Sequence, residues 1–210
     1  IWNKELSSSE VTELYNSGTV LNALTHSAVD NLIGYWKWEG NGNATVSNDN
    51  FTISGGSSIV VPGVYDMISA KLAERANFPA LYVSGYGISA AHLGLPDVGL
   101  MTFSDMFERV QLIARNSAVP VIADADTGYG GLINLRHTVQ SYESVGVSAI
   151  QIEDQEFPKR CAHAAGVRVI EKQEMMRKIE VACESRSDDG FLVIARTDSL
   201  TELGIDDAIE

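Results

Sequence analysis

Residues 59–210 predict an α/β domain built around a parallel sheet, and three observations carry that prediction. Short, nearly continuous apolar runs alternate with stretches of helical periodicity. The runs are too apolar for strands with one wet face, which implies helices covering the sheet. Polar and charged residues gather where four of these runs end.

The strands read, in order, Ile59 to Val61, Ala80 to Ser84, Val119 to Ala123, Ala149 to Glu153 and Phe191 to Ala195. Between them the apolar positions Ile68 and Leu72, then Met106, Val110 and Ile113, then Leu135, Val139 and Tyr142, and finally Met175, Ile179, Ala182 and Cys183 recur at helical spacing. Each set is one face of a helix packed on a sheet. Five strands fit either an open doubly wound sheet or part of an eight-stranded barrel, and periodicity does not separate the two.

Residues 1–58 are different material. Ser7 with Glu10 forms a capping box ahead of Val11, Leu14 and Tyr15, and Gly18 is a stop signal. The aromatic-rich run 32–38, the Asn- and Gly-dense stretch 40–50 and the run 51–53 then read as short strands and turns. This organisation predicts a small β-rich segment over 1–53, a flexible linker over 54–58 and a catalytic domain over 59–210. The words IWNKELSSSEVTELYNSG and IGYWKWEGNGN resemble pieces of laminin-G or concanavalin-like domains, which would make the segment a carbohydrate-binding module. About three strands are too few to close a sandwich of about seven, so a strand-rich remnant is the favoured reading.

The whole chain, 210 residues with 45% hydrophobic and 20% charged content, has material enough for a buried core. A net charge of -13 disfavours nucleic acid and anionic membranes as partners. No apolar run reaches the roughly 18 residues of a membrane span. Two well-separated cysteines, Cys161 and Cys183, form no disulfide framework or zinc motif and suit a reducing, cytoplasmic compartment. Cys183, on an apolar helix face, reads as a buried structural residue.

Ser84 and Gly85 close the second strand, Asp124 and Asp126 the third, Glu153 and Asp154 the fourth, and Arg196 with Asp198 the fifth. Catalytic groups of parallel α/β proteins converge at these carboxyl ends. One such charge would serve equally as a helix cap; four successive placements favour an active site. Asp124, Asp126 and Glu153 form a hard oxygen set suited to Mg²⁺ or Mn²⁺, and alternation sends both Asp side chains to one side if the strand continues. Lys159 and Arg160 before Cys161, and His163 after it, favour a thiolate or easy proton exchange. Such a cysteine could act as a nucleophile or deliver a proton to a carbanion. Gly85-Tyr86-Gly87-Ile88-Ser89-Ala90 matches a dinucleotide fingerprint, but Leu93 to Gly99 breaks the helix that should follow, and no acidic strand end lies about 20 residues on.

The segments PGVYD at 62–66, YVSGYGISAAHLGLPDVG at 82–99, IADADTGYGG at 122–131, IQIEDQEFPKRCAH at 150–163 and IARTD at 194–198 together resemble the isocitrate lyase and phosphoenolpyruvate mutase superfamily. The K-R-C-x-H loop is closest to its methylisocitrate and dimethylmalate lyases. The resemblance implies a (β/α)₈ TIM barrel, of which this chain holds about five units, a homotetramer, and Mg²⁺ at the strand ends. By position, Asp124 would be the metal carboxylate, with Asp126 and Glu153 nearby or acting through water. Tyr82, Ser84, Gly85 and Arg196 would hold the 2-oxo or 2-hydroxy acid, and Asp97 would help order the site. Cys161, on a mobile gating loop between Lys159 and His163, would protonate the leaving enolate.

The implied reaction is cleavage of a carbon-carbon bond in a 2-hydroxy di- or tricarboxylate, releasing pyruvate or glyoxylate; a phosphorylmutase or an oxaloacetate hydrolase or decarboxylase on the same barrel is the alternative. Ala162 stands where the family has Gly, which would strain the loop if that position needs positive φ. The chain ends inside its fifth helical segment, so by the resemblance it is a fragment expected to be poorly soluble and inactive alone.

Overall fold

The computed structural model describes residues 59–161 and 166–209. The chain divides between Val60 and Val61, and the elements of the fold belong to the second part. The capping box, linker and lectin-like segment expected before residue 59 lie outside the described residues, as do Ala162 and His163.

Five strands, β1 (Gly63–Val64), β2 (Leu81–Val83), β3 (Val121–Asp124), β4 (Ala149–Glu153) and β5 (Leu192–Arg196), form one sheet. They lie in the order of the chain, and every pair is parallel. A doubly wound sheet reverses its strand order at a switch point; this one never does. The arrangement is an arc of a β/α barrel, which settles the alternative that periodicity left open.

The helices are α1 (Met67–Arg75), α2 (Gly85–Ile88) running into a π turn at Ser89–Leu93, α3 (Phe103–Asn116), α4 (Leu132–Ser144), α5 (Lys172–Ser185) and α6 (Ile205–Ile209). Local chemistry sets their ends. Reciprocal capping boxes open α1 at Asp66 with Ser69 and α3 at Thr102 with Asp105, each satisfying orphan amides of the first turn. Gly94 in the left-handed region (φ 66°) stops the π turn.

Alternation along the strands separates two faces. Leu81, Val83, Val121, Ala123, Ile150 and Ile152 point outward into a buried cluster with Met106, Val110 and Ile113 of α3 and Leu135, Val139 and Tyr142 of α4. Each fully buried Leu, Ile or Val contributes about 1.5–3 kcal/mol, so this layer holds the arc together. Tyr82, Asp124, Gln151, Glu153 and Arg196 occupy the opposite face, where register places Asp124 beside Gln151 and Glu153 beside Arg196.

Four expectations need correction. The first strand is Gly63–Val64, not Ile59 to Val61: Pro62 has no N–H to give the ladder, and its carbonyl instead accepts from Tyr82 N. Ile68 and Leu72 are 72% and 61% exposed, because α1 packs through the smaller Ala70 and Ala73. Periodicity finds the faces of a helix, not which face packs. Cys183 is exposed, and Lys178 and Ala182 take the buried side of α5. A helix does follow Ser84 at once, although it lasts only to Leu93.

Candidate active site

Gly85 is where the polar face begins. Ser84 caps α2, its Oγ accepting from Gly87 N at 3.2 Å, and so turns the Gly85 amide toward β3. That amide donates to Asp124 Oδ2 at 3.1 Å. A Cβ on Gly85 would lie 2.9 Å from the same oxygen, so only glycine permits this approach. An amide already engaged by a carboxylate is no phosphate cradle, which agrees with rejecting the dinucleotide reading.

Asp124 Oδ1 accepts from the Asp126 amide at 3.1 Å. β3 does not continue to Asp126, which adopts φ 48°. Strand alternation therefore does not place its side chain, contrary to the sequence-based expectation. The turn brings Asp126 Oδ1 to 2.7 Å from Lys159 Nζ, and the same ammonium donates to Asp97 Oδ2 at 2.6 Å. Gly99 (φ 73°) lets the segment after Asp97 approach: a Cβ there would meet Lys159 N and Pro158 Cβ at 3.1 Å. Below the site, the phenols of Tyr129 and Tyr142 reach the Asp124 carbonyl at 3.4 and 3.5 Å.

On β4 and β5, Glu153 Oε2 lies 3.4 Å from Arg196 Nη1, while Glu153 Oε1 is buried without a hydrogen-bond partner. Arg196 also grips Asp198, with Nε and Nη2 both 3.0 Å from Oδ1. Asp154 accepts from Thr197 Oγ1 and Asp198 N, at 2.5 and 2.8 Å, and so fixes the turn after β5. Gln151 Nε2 donates to the Tyr82 hydroxyl at 2.8 Å.

The electrostatics follow from this crowding. Five carboxyl groups, Asp97, Asp124, Asp126, Glu153 and Asp198, gather around the two cations Lys159 and Arg196, so carboxyl groups outnumber cations by three. Burial, reinforced by the Asp124 carboxylate, pushes Asp126 up to about 7. Burial likewise raises Glu153 to about 8, against the opposing pull of Arg196. Burial works against the charge on Lys159, yet Asp126 and Asp124 more than offset it and hold the ammonium protonated. Burial and Asp124 also raise the Tyr82 phenol well above its ordinary value, so it stays a neutral donor.

These oxygen donors and their charge excess fit a divalent cation. Among the described residues no three His, Cys, Asp or Glu side chains close into a cage. Carboxylate oxygens of this kind suit Mg²⁺, a hard cation that keeps several waters and takes one or two carboxylates.

Contacts join Gly85, Asp124, Asp126, Lys159 and Asp97 in one group and Glu153 with Arg196 in another, while Tyr82 meets Gln151 on the same face of the sheet. Ser84 contributes as a cap, and Cys161 is partly buried on the segment next to Lys159. Lys159 was expected to act on the thiol, but its ammonium is held by Asp97 and Asp126. Sequence reasoning missed Gln151 and Gln155; the available signal was an amide in the middle of an otherwise apolar strand for the first and just past that strand's end for the second.

Comparison with known proteins bears on this site. The sequence model of the family described as phosphoenolpyruvate phosphomutase matches residues 53–210. The chain is 48% identical over 152 residues to 2,3-dimethylmalate lyase of Eubacterium barkeri, covering 72% of this chain and 53% of that protein. The solved 2,3-dimethylmalate lyase, described as a PEP mutase/isocitrate lyase superfamily member, superposes with a TM-score of 0.69 at 42% identity, covering 71% of this chain and 51% of that one. A phosphonopyruvate hydrolase solved with oxalate and Mg²⁺ gives 0.64 at 34% identity, covering 71% and 50%. This chain spans about half the length of these relatives. The laminin-G and concanavalin-like likeness of residues 1–58 gains no support from them.

Proposed function

We propose, from the premise that the chain belongs to the phosphoenolpyruvate mutase/isocitrate lyase superfamily, that it serves a Mg²⁺-dependent carbon-carbon lyase acting on a 2-hydroxy di- or tricarboxylate of the dimethylmalate or methylisocitrate type. The observation that carries this reading is the meeting of Asp124, Asp126, Glu153 and Arg196 at the ends of three successive parallel strands, with an excess of negative charge that a divalent ion would neutralise.

Asp124 is the carboxylate assigned to hold the ion, with Asp126 and Glu153 acting nearby or through water. When bound, Mg²⁺ supplies positive charge to the oxygens of the 2-hydroxy acid and of the 2-oxo acid formed from it. Arg196 and the neutral Tyr82 phenol anchor the acid, and Gly85, whose amide holds Asp124 Oδ2, keeps that carboxylate in place beside it. Glu153, whose Oε1 is unpartnered, accepts the hydroxyl proton once it is itself ionised. The carbon-carbon bond then breaks, its electron pair passing to the second carboxylic acid as an enolate, which Cys161 protonates. Lys159 holds Asp97 and Asp126 in place, and His163 flanks the thiol in sequence. Arg196 stabilises the developing oxyanion charge.

A homotetramer in a reducing, cytoplasmic setting completes the reading. The free thiols of Cys161 and Cys183 support the setting, and no helix among the described residues is long and apolar enough to cross a membrane.

The test is product analysis with a complete barrel that carries these residues, offering 2,3-dimethylmalate, 2-methylisocitrate, oxaloacetate and phosphonopyruvate with Mg²⁺ or with EDTA. Pyruvate released from either of the first two only with Mg²⁺, and lost in Cys161→Ser while Mg²⁺ binding persists, supports the lyase. Turnover of oxaloacetate or phosphonopyruvate alone would replace it with the hydrolase or mutase alternative.

A further inference from the structure

We propose that Gln155 is a positioning residue that couples the Arg196 guanidinium to the segment carrying Cys161, so that a change at one is felt at the other. Its catalytic meaning rests on the lyase reading above, but the coupling itself rests on geometry alone.

Gln155 is 1% exposed and has work at both ends of its amide. Nε2 donates to Asp198 Oδ2 at 2.6 Å, and Oε1 accepts from the Arg160 amide at 2.8 Å. The orientation is forced, because an ionised carboxylate only accepts and a backbone N–H only donates. A flipped amide would lose both bonds. Asp198 in turn receives Nε and Nη2 of Arg196. An unbroken series therefore runs from Arg196 through Asp198 and Gln155 to Arg160, whose neighbour is Cys161.

The main chain around Gln155 is pinned independently. Gln155 bridges Val169 in antiparallel fashion, Glu156 N donates to the Arg168 carbonyl, and Ile170 N donates to the Asp154 carbonyl. With the backbone fixed on both flanks, the Gln155 side chain is the member that can pass a displacement from one end to the other. A carboxylate arriving at Arg196 competes with Asp198 for the same N–H donors. Asp198 then shifts its share of bonding toward Gln155, and Arg160 feels the change. Linkage makes the effect reciprocal: the position of the Cys161 segment biases how firmly Arg196 is held.

The test follows alkylation of Cys161 by iodoacetamide in the full chain, read by mass spectrometry, with the exposed Cys183 of α5 as internal reference. Arg196→Lys removes the fork from Asp198 and is expected to change the Cys161 to Cys183 labelling ratio by about fivefold or more. The same substitution should change nothing in a Gln155→Met background, nor in Gln155→Glu, which retains an acceptor for Arg160 but sets a carboxylate against Asp198. Amide exchange at Arg160 needs no substitution at Gln155 and should quicken in Arg196→Lys. An equal response in every background, or no response in the parent chain together with unchanged Arg160 exchange, overturns the proposal.

Oxalate with Mg²⁺ separates the two readings. Oxalate that binds by calorimetry and shifts Cys161 labelling only when Gln155 is present supports both. A Gln155-dependent response to Arg196→Lys without oxalate binding keeps the coupling and removes the lyase reading. Oxalate binding with no Gln155-dependent response removes the coupling alone.

Discussion

The two faces of the same five strands are built from different residues and answer to different physics. Outward positions such as Leu81, Val121, Ile150 and Ile152 are apolar, fully or almost fully buried, and satisfied by close packing against α3 and α4. Positions one residue away, Tyr82, Asp124, Glu153 and Arg196, carry charge or hydroxyl groups that packing cannot satisfy. They lie on four successive strands and depend on polar partners rather than on packing. The comparison teaches that a parallel barrel separates stability from chemistry at single-residue resolution, so substitutions on neighbouring residues should have opposite signatures.

The largest expected effect comes from the apolar face. Ile150→Ala should destabilise the fold by about 2–5 kcal/mol through lost burial and a residual cavity, seen as a lower denaturant midpoint, while turnover per folded molecule stays unchanged. Its polar counterpart is Arg196→Gln, expected to lower kcat/KM by about 10²–10³-fold, a loss of roughly 3–4 kcal/mol of transition-state stabilisation. Its unfolding midpoint should move little, since Arg196 is partly exposed and near the described sheet's edge. If both variants lose stability and activity together, the separation of faces is wrong.

A smaller effect is expected from pH. Asp126 and Glu153 have folded-state values raised to about 7 and about 8, so the native state binds more protons than the unfolded chain above the ordinary carboxylate range. Stability of the metal-free protein should therefore fall as pH rises from about 5 to about 8. Mg²⁺ should return several degrees of melting temperature at pH 8 and little at pH 5, because deprotonated ligands are needed. Thermal melts with Mg²⁺ and with EDTA across that window measure it. Smallest of all, Thr102→Ala removes the exposed cap of α3 and should cost about 1 kcal/mol with no change in turnover.

Much of this separation was legible in the sequence, for identifiable reasons. Met106, Val110 and Ile113, and Leu135, Val139 and Tyr142, are all buried as their spacing predicts. Large apolar residues leave one way to pack a helix. On α1 the choice lay between Ile68 with Leu72 and the smaller Ala70 with Ala73, and periodicity could not weigh close approach against side-chain size. At the site, the strand-end carboxylates and Arg196 stood out because charge after an apolar run is conspicuous. The turn that sends Asp126 to Lys159 was not legible, since a left-handed conformation at a non-glycine residue is imposed by tertiary contacts. Gln151 and Gln155 carry no charge, and their partners lie 69 and 43 residues away. Nothing local announces such contacts.

The most direct test of the central claim is binding of Mn²⁺, as a spectroscopic substitute for Mg²⁺, to the full chain by electron paramagnetic resonance. One site per chain, displaced by Mg²⁺, weakened by Asp124→Asn and untouched by Ile150→Val, is the predicted result. Binding that survives Asp124→Asn at full strength, or no binding at neutral pH, would contradict the assignment of the polar face as a metal-assisted active site.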